Sequence, residues 1–345
     1  MRTLQQSPFG QTPKGEFWVR TLFFVALLLL ILALFFTKLN SGVALFLGFV
    51  FVLTIGNPFP KKTANFAKML LKISVVGLGF GLNAEQALAA GREGFGLTLL
   101  SIFLTLFLGL LLGKWLKVEF NLTYLLSAGT AICGGSAIAA ISPLLAAKEQ
   151  EISVAMGVVF LLNALALFIF PFIGHYLEFS EPTFGLWAAI AIHDTSSVVG
   201  AASSYGQQAL QVATTVKLMR ALWIIPLSFL TLAIVARRKK EGDMPKKAFQ
   251  IDVPYFIGFF VLAILLNSYH SYFLPDAMQP FFAESSQIVL GLAKKALALT
   301  LFLIGLNLSY DKIKAVGFRP LLLALLLWLI ISVGAAWFLQ VTNSL

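Results

Sequence analysis

The sequence predicts an all-α polytopic membrane protein of about 9–11 spans, with two discontinuous or re-entrant helical segments and an inverted-repeat transporter core. Three observations carry this expectation. Of 345 residues, 59% are hydrophobic and the mean hydropathy is +0.90, far above a soluble domain. Apolar runs of roughly membrane length recur along the chain, separated by short basic clusters. Two of these runs are interrupted midway by small and polar residues, Gly129 to Ile138 and Ala189 to Val198.

The runs fall near 17–36, 42–56, 64–82, 94–116, 122–146 (broken), 152–177, 183–204 (broken), 209–235, 253–270, 287–308 and 317–340. The first follows Arg2, Lys14 and Arg20 as a signal peptide would, but Thr37-Lys38-Leu39-Asn40 offers no small-x-small cleavage pattern, so it reads as an uncleaved helix. The second is short and ends at the turn Asn57-Pro58-Phe59-Pro60. Each broken run has apolar arms of about ten residues, half the ~20 that cross a bilayer. The hydrophilic loop 236–250, with Arg237-Arg238-Lys239-Lys240 and Lys246-Lys247, is placed in the cytoplasm together with the N-terminus. What results is one integral membrane transporter domain over 1–345, in the inner membrane, with no extramembrane domain.

Composition also narrows the function classes. The net charge of +10 sits in clusters between spans, with no finger spacing or aromatic-basic groove, so nucleic acid is not expected. Cys133 is the only cysteine, which rules out a disulfide framework and a Cys-based metal site. No nucleotide-binding loop is visible, and neither cofactor, metal nor enzymatic activity is expected. An intramembrane hydrolase built on Ser136 and His193 needs an oriented base and an oxyanion hole, and no nucleophile elbow is present.

Topology has two readings. With eleven crossings and the N-terminus inside, Lys148 falls outside and Glu178 and Glu181 inside; with both broken runs as re-entrant hairpins, these sides exchange. The positive-inside trend favours the hairpins. Weak internal similarity pairs the breaks: Ala131-Ile132 and Ser136 align with Ala191-Ile192 and Ser196, and Gly81-Leu82-Asn83 recurs as Gly305-Leu306-Asn307. In the hairpin topology both pairs have opposite orientation, as inverted repeats require.

The chemistry concentrates in and near the breaks. Unwound backbone at membrane depth survives only when buried in protein or lining a wet cavity. Lys217 and Arg220, at i and i+3, share one face deep in the run 209–235, where a charge costs about 2.5–3.5 kcal/mol on insertion scales. Lys72, Lys294 and Lys295 also lie inside runs, with snorkelling as the plainer account of those three. Against these cations stands Asp194, a balance that favours an anionic substrate. Cys133-Gly134-Gly135-Ser136 lets successive N–H groups turn into a cavity, and Ser136 opens a half-helix with a positive N-terminus. Thr195-Ser196-Ser197 offers hydroxyls in the second break. A glycine pair for close helix packing is the simpler alternative. His193-Asp194 is suited either to a coupling proton or gating, or to a hydrogen bond that closes the hairpin. Asn83, Asn163 and Asn307 are cavity candidates or interhelical bonds.

The segments Ile132–Ile138, His193–Ala201, Val216–Pro226 and Leu301–Ser309, with the following Gly317-Phe318-Arg319-Pro320-Leu321, resemble the YeiH-type family labelled as sulfate exporters, from about residue 40 onward. The chain is more distantly similar to the bile-acid, arsenite and riboflavin transporters and to sodium/proton antiporters. The resemblance implies a core with discontinuous helices moving against a scaffold, elevator fashion. Its motifs fall on Cys133, Gly134, His193, Lys217 and Arg220; some relatives carry Glu where this chain has Asp194. Together these readings give a secondary transporter exporting a small anion such as sulfate, sulfite or an organosulfur anion, with proton or sodium coupling. The alternatives are an importer of a small carboxylate or bicarbonate, and an anion channel. Homo-oligomer formation stays open.

Overall fold

The computed structural model describes residues 13–36, 41–238, 255–307 and 317–343. Among them every regular element is a helix: α1 (Pro13–Phe36), α2 (Ser41–Thr54), α3 (Pro60–Leu78), α4 (Ala84–Trp115), α5 (Phe120–Ala131), α6 (Gly135–Leu145), α7 (Glu149–Tyr176), α8 (Glu181–Ala191), α9 (Thr195–Tyr205), α10 (Gln207–Ala221), α11 (Ile224–Arg238), α12 (Tyr255–Phe273), α13 (Gln279–Leu306) and α14 (Phe318–Asn343). The N-terminus and most of the basic loop assigned to the cytoplasm lie outside the described residues.

Among the described residues seven segments are long and apolar enough to cross a membrane: Pro60–Gly81, Ala84–Trp115, Glu149–Tyr176, Gln207–Val235, Tyr255–Phe273, Asp276–Leu306 and Phe318–Thr342. They fall on the unbroken runs read from the sequence. The difference from nine to eleven lies in the shorter apolar stretches Phe17–Leu30 and Val43–Thr54 and in the two broken runs. At about 1.5 Å per residue, Val43–Thr54 covers ~18 Å of a ~30 Å hydrocarbon core.

The contacts divide the chain into two compact units, Met1–Gln86 with Pro254–Ser309, and Ala87–Val253 with Tyr310–Leu345. In the first, α13 packs against α2 and α3 around Phe23, Leu30, Ala44, Phe302 and Leu306. Gly48 of α2 and Gly305 of α13 let two backbones meet: a Cβ on Gly48 would run into the Phe302 carbonyl, and one on Gly305 into that of Leu45. This is small-residue packing of the kind membrane helices use where lipid supplies no hydrophobic drive. The turn after α2 is tied to the end of α13, Asn57 Nδ2 donating to Thr63 Oγ1 at 2.9 Å and to the Leu306 carbonyl at 3.2 Å.

In the second unit both broken runs are hairpins. The helices stop at Ala131 and Ala191 and resume at Gly135 and Thr195. Phe184, in the first turn of α8, stacks on Tyr205, the last residue of α9, with ring centroids 3.8 Å apart and planes 5° from parallel. A run that crossed without reversing would hold these residues about 30 Å apart. The Tyr205 hydroxyl donates to the Phe179 carbonyl at 2.5 Å, and Glu181 accepts from the Gln208 backbone at 2.7 Å. The mouth of the first hairpin closes likewise: Asn121, at the start of α5, reaches Glu151 in the first turn of α7 at 3.5 Å. Glu151 also accepts from the Lys148 backbone N–H at 2.6 Å, capping α7.

α7 sets the two hairpins against each other. Its 28 residues span about 42 Å, more than a hydrocarbon core. The first hairpin opens at its N-terminal end and the second at its C-terminal end, so the two descend from opposite faces. Half-helices of 12, 11, 11 and 11 residues reach only about 17 Å, short of a ~30 Å hydrocarbon core, so no arm of either hairpin is long enough to cross one. The opposite orientation expected of the two breaks is therefore present.

Candidate functional site

A helix leaves about four carbonyls at its C-terminus without intrahelical partners, and they carry partial negative charge. Where the helix ends inside a membrane, water cannot take them. α8 ends this way, and side chains accept the duty one carbonyl at a time. Lys217 Nζ donates to Ala189 O at 3.1 Å and to Ile192 O at 2.7 Å. Arg220 Nη1 donates to Ile190 O at 3.0 Å, and Trp328 Nε1 of α14 to Ala191 O at 3.1 Å. Ala188 O receives the Ile192 N–H at 3.0 Å, so the end of α8 is fully paired.

Arg220 then reaches across to the other hairpin. Its Nε donates to Ala131 O at 2.7 Å and its Nη2 to Thr130 O at 3.4 Å, both at the end of α5. One guanidinium thus pins two tips, using the fixed fork of donors that distinguishes arginine from lysine. Lys217 and Arg220 share a face of α10, as their spacing requires, and both are 0% exposed. Their hydrogen bonds go to backbone carbonyls at the helix ends.

The N-terminal halves differ from each other. At α9, Asp194 is the N-cap: its Oδ2 accepts from the backbone N–H of Ser196 at 3.1 Å and of Ser197 at 3.4 Å, and from the Ser196 hydroxyl. At α6 the N-cap is Gly134, with no side-chain cap. Gly134 has φ +66°, a region open to glycine, and its N–H returns to Gly129 O at 2.8 Å, reversing the chain. A Cβ there would lie 3.1 Å from Val159 Cγ1 and 3.3 Å from the His193 carbonyl. The tips touch at this point.

Asn163, on α7 one turn beyond Val159, organises the meeting place. Its Oδ1 accepts from the backbone N–H groups of His193 at 2.9 Å and Asp194 at 3.2 Å. Two N–H donors fix the orientation of the amide, and its Nδ2 is left buried without a partner among the described residues. Both ring nitrogens of His193 and the hydroxyl of Thr130 are likewise buried and unpartnered there. Such groups cost about 1–3 kcal/mol each when nothing binds them, so their clustering at the tips points to a ligand or ordered water. Ser136 is exposed, Asp194, Thr195 and Ser196 are half-buried, and Cys133, Gly134, Gly135 and Ser197 are buried.

The structure thus gathers Cys133, Gly134, Gly135, Ser136, Asn163, His193, Asp194, Thr195, Ser196, Ser197, Lys217 and Arg220 within one unit. The other cavity candidates belong to the first unit. Lys72 is exposed, its Nζ 5.9 Å from the Phe256 ring centroid. Asn83 accepts from the Glu85 backbone at 2.8 Å, and Asn307 donates to Leu303 O at 2.7 Å and Thr63 Oγ1 at 3.2 Å. Sequence reasoning did not single out Trp328, Trp187 or Thr130. Trp187 Nε1 donates to Ser332 O at 2.8 Å and its ring stacks on Phe170 at 4.4 Å, joining α7, α8 and α14. Nothing in the sequence distinguishes these tryptophans from lipid-facing ones such as Trp337.

The family model described as conserved hypothetical protein 698 matches residues 19–324. The chain is 51% identical to a UPF0324 membrane protein of Bacteroides thetaiotaomicron, over 85% of this chain and 84% of that protein. It is 50% identical to a UPF0324 membrane protein of Porphyromonas gingivalis, over 88% of each chain. A UPF0324 membrane protein of Vibrio vulnificus is 47% identical over 88% of this chain and 94% of its own. No solved structure matches.

Proposed function

The chain belongs to the conserved hypothetical protein 698 family of membrane proteins, which agrees with the YeiH-type resemblance and leaves its sulfate label open, and on that premise we propose that it is a secondary transporter of a small oxyanion. The observation that carries the reading is the meeting of two oppositely oriented hairpin tips inside one unit, with unpartnered polar side chains near a helix start whose N-cap is a glycine. Broken helices at the midplane, with half-helix N-termini turned to an anion, are a recurrent transporter arrangement. In this reading the N–H groups of Gly135 and Ser136, the Ser136 hydroxyl and Asn163 Nδ2 hold the substrate. Thr195 and Ser196 line the opposite wall. Lys217 and Arg220 supply positive charge to the neighbourhood while their donors hold the tips together.

The division into two compact units suits an elevator, in which the unit bearing both hairpins moves its site across the membrane. Asp194 is engaged as a helix cap, which leaves the His193 imidazole as the group to carry a coupling proton. No hydrogen bond joins Ser136 to His193 among the described residues, which favours a carrier over a Ser–His hydrolase. Direction is outward across the inner membrane, with sulfite, sulfate and small organosulfur anions as the substrate class. The test is radiolabelled counterflow in proteoliposomes against sulfate, sulfite, thiosulfate, a sulfonate and bicarbonate. Saturable, protein-dependent exchange of at least one is expected. Correctly folded, inserted protein that exchanges none would end the transporter reading.

A further inference from the structure

We infer that the site at the hairpin tips selects monovalent oxyanions over divalent ones, so that a sulfonate or another singly charged oxyanion, rather than sulfate, is the class it takes; this rests on the transporter reading above. The inference begins with the charges buried around the tips. Lys217 and Arg220 are fully buried cations and Asp194 is the half-buried carboxylate that acts on Lys217, so that in the state without a proton on His193 one net positive charge is left. The partial charges of the four half-helix ends do not change this balance, because two C-termini and two N-termini meet there and cancel to first order. A single negative charge neutralises the site. A second would be buried without compensation, which interiors tolerate poorly.

The donors agree with the charge count. Ion-pair recognition of a dianion needs cationic forks or ammonium groups aimed at its oxygens. Here the donors of both cations are directed to Ala131, Ala189, Ile190 and Ile192 carbonyls. That occupies two of the three ammonium N–H groups and three of the five guanidinium ones. The neutral groups beside them are the start of α6, which has no side-chain N-cap, the exposed Ser136 hydroxyl and the buried, unpartnered Asn163 Nδ2. Asn163 Oδ1 holds the backbone of His193 and Asp194, and the His193 carbonyl lies beside Gly134, the N-cap of α6, so the amide sits where the tips meet. The second tip supplies an internal comparison. At α9 the equivalent position is filled by one carboxylate of one negative charge, accepting from two backbone N–H groups and a serine hydroxyl. The α6 start, with Ser136 where α9 has Ser196, carries backbone and hydroxyl donors of the same kind and no carboxylate of its own.

Methanesulfonate and sulfate test this directly, being nearly the same tetrahedral shape with one and two charges. In proteoliposomes the wild-type protein is expected to exchange methanesulfonate with an apparent affinity at least tenfold better than sulfate. Asp194→Asn, which keeps a capping oxygen, raises the net charge by one and should narrow or reverse that preference. Asn163→Asp, which keeps the acceptor for His193 and Asp194, removes the net charge and should weaken both anions at least tenfold. A wild type that prefers sulfate overturns the monovalent assignment and leaves the transporter reading in place. Exchange of neither anion, nor of any other in the panel, overturns both. A fluorescence thermal-shift assay of each variant with methanesulfonate separates lost binding from lost fold: a folded Asp194→Asn protein whose preference is unchanged also overturns the inference.

Discussion

At the second hairpin tip, α9 begins with a carboxylate from its own chain, whereas at the first tip α6 begins with a glycine that offers no cap. The C-terminal ends of the same hairpins are treated alike, with Lys217, Arg220 and Trp328 pairing the carbonyls of α5 and α8. The similarity at one pole and the difference at the other separate two jobs. Carbonyls buried at mid-membrane must be paired for the hairpins to exist at all, so those contacts belong to folding. At the start of α6 no side chain takes the place that Asp194 has at α9, although Ala137 N–H is held by Cys133, and the proposed transporter needs some groups left over.

The largest effect is expected at Arg220. Arg220→Ala strips the partners from Ala131 O, Ile190 O and Thr130 O and unpins the two tips. At about 1–3 kcal/mol for each buried orphan, the loss approaches the whole stability of a typical protein, about 5–15 kcal/mol. The variant should fail to accumulate as folded protein, and Arg220→Lys should recover part of the loss. If Arg220→Ala instead keeps its thermal transition and loses transport alone, the arginine serves the substrate and the division of labour collapses.

Gly134→Ala comes next. Its Cβ would meet Val159 and the His193 carbonyl in a conformation, φ +66° and ψ −122°, that costs an L-residue about 1–3 kcal/mol. Transport should fall more than stability does, because the backbone that must shift is the start of α6, whose N–H groups are the proposed donors to substrate. A pair of milder changes sharpens the contrast between the tips. Asp194→Ala removes a helix cap and should cost about 0.5–2 kcal/mol of stability. Ser136→Ala removes an exposed hydroxyl and should leave the thermal transition in place while weakening apparent substrate affinity several-fold. Equal stability losses in the two variants would erase the asymmetry.

Much of this was legible before the fold was seen. Hydropathy located the unbroken spans, and small polar residues marked both breaks, because a helix interrupted in lipid needs residues that tolerate open backbone. The depth of Lys217 and Arg220 was legible for the same reason. Their partners were not: an excess of buried cations suggests an anion, and carbonyls at a helix end act as one without appearing in a sequence. Asn163 was visible only as a polar residue in a long helix, since its role depends on a tip 30 residues further along the chain. Trp328 gave no signal at all, because its indole N–H matters only where α14 passes the end of α8.

The smallest perturbation tests the geometry on which the comparison rests. Exposed positions flank each hairpin: Lys117 and Lys148 the first, Glu178 and Gln208 the second. In a Cys133→Ser background, single cysteines at these four positions should leave stability and flux nearly unchanged. Membrane-impermeant maleimide on oriented vesicles then reports their sides. Hairpins place Lys117→Cys with Lys148→Cys on one face and Glu178→Cys with Gln208→Cys on the other. α7 separates the two pairs in either topology, so only agreement within a pair discriminates. Lys117→Cys and Lys148→Cys labelling from opposite faces would mean that α5 and α6 cross the membrane in sequence. In that case Asn121 could not reach Glu151, the tips could not meet at Gly134 and His193, and the open α6 terminus would have no second wall.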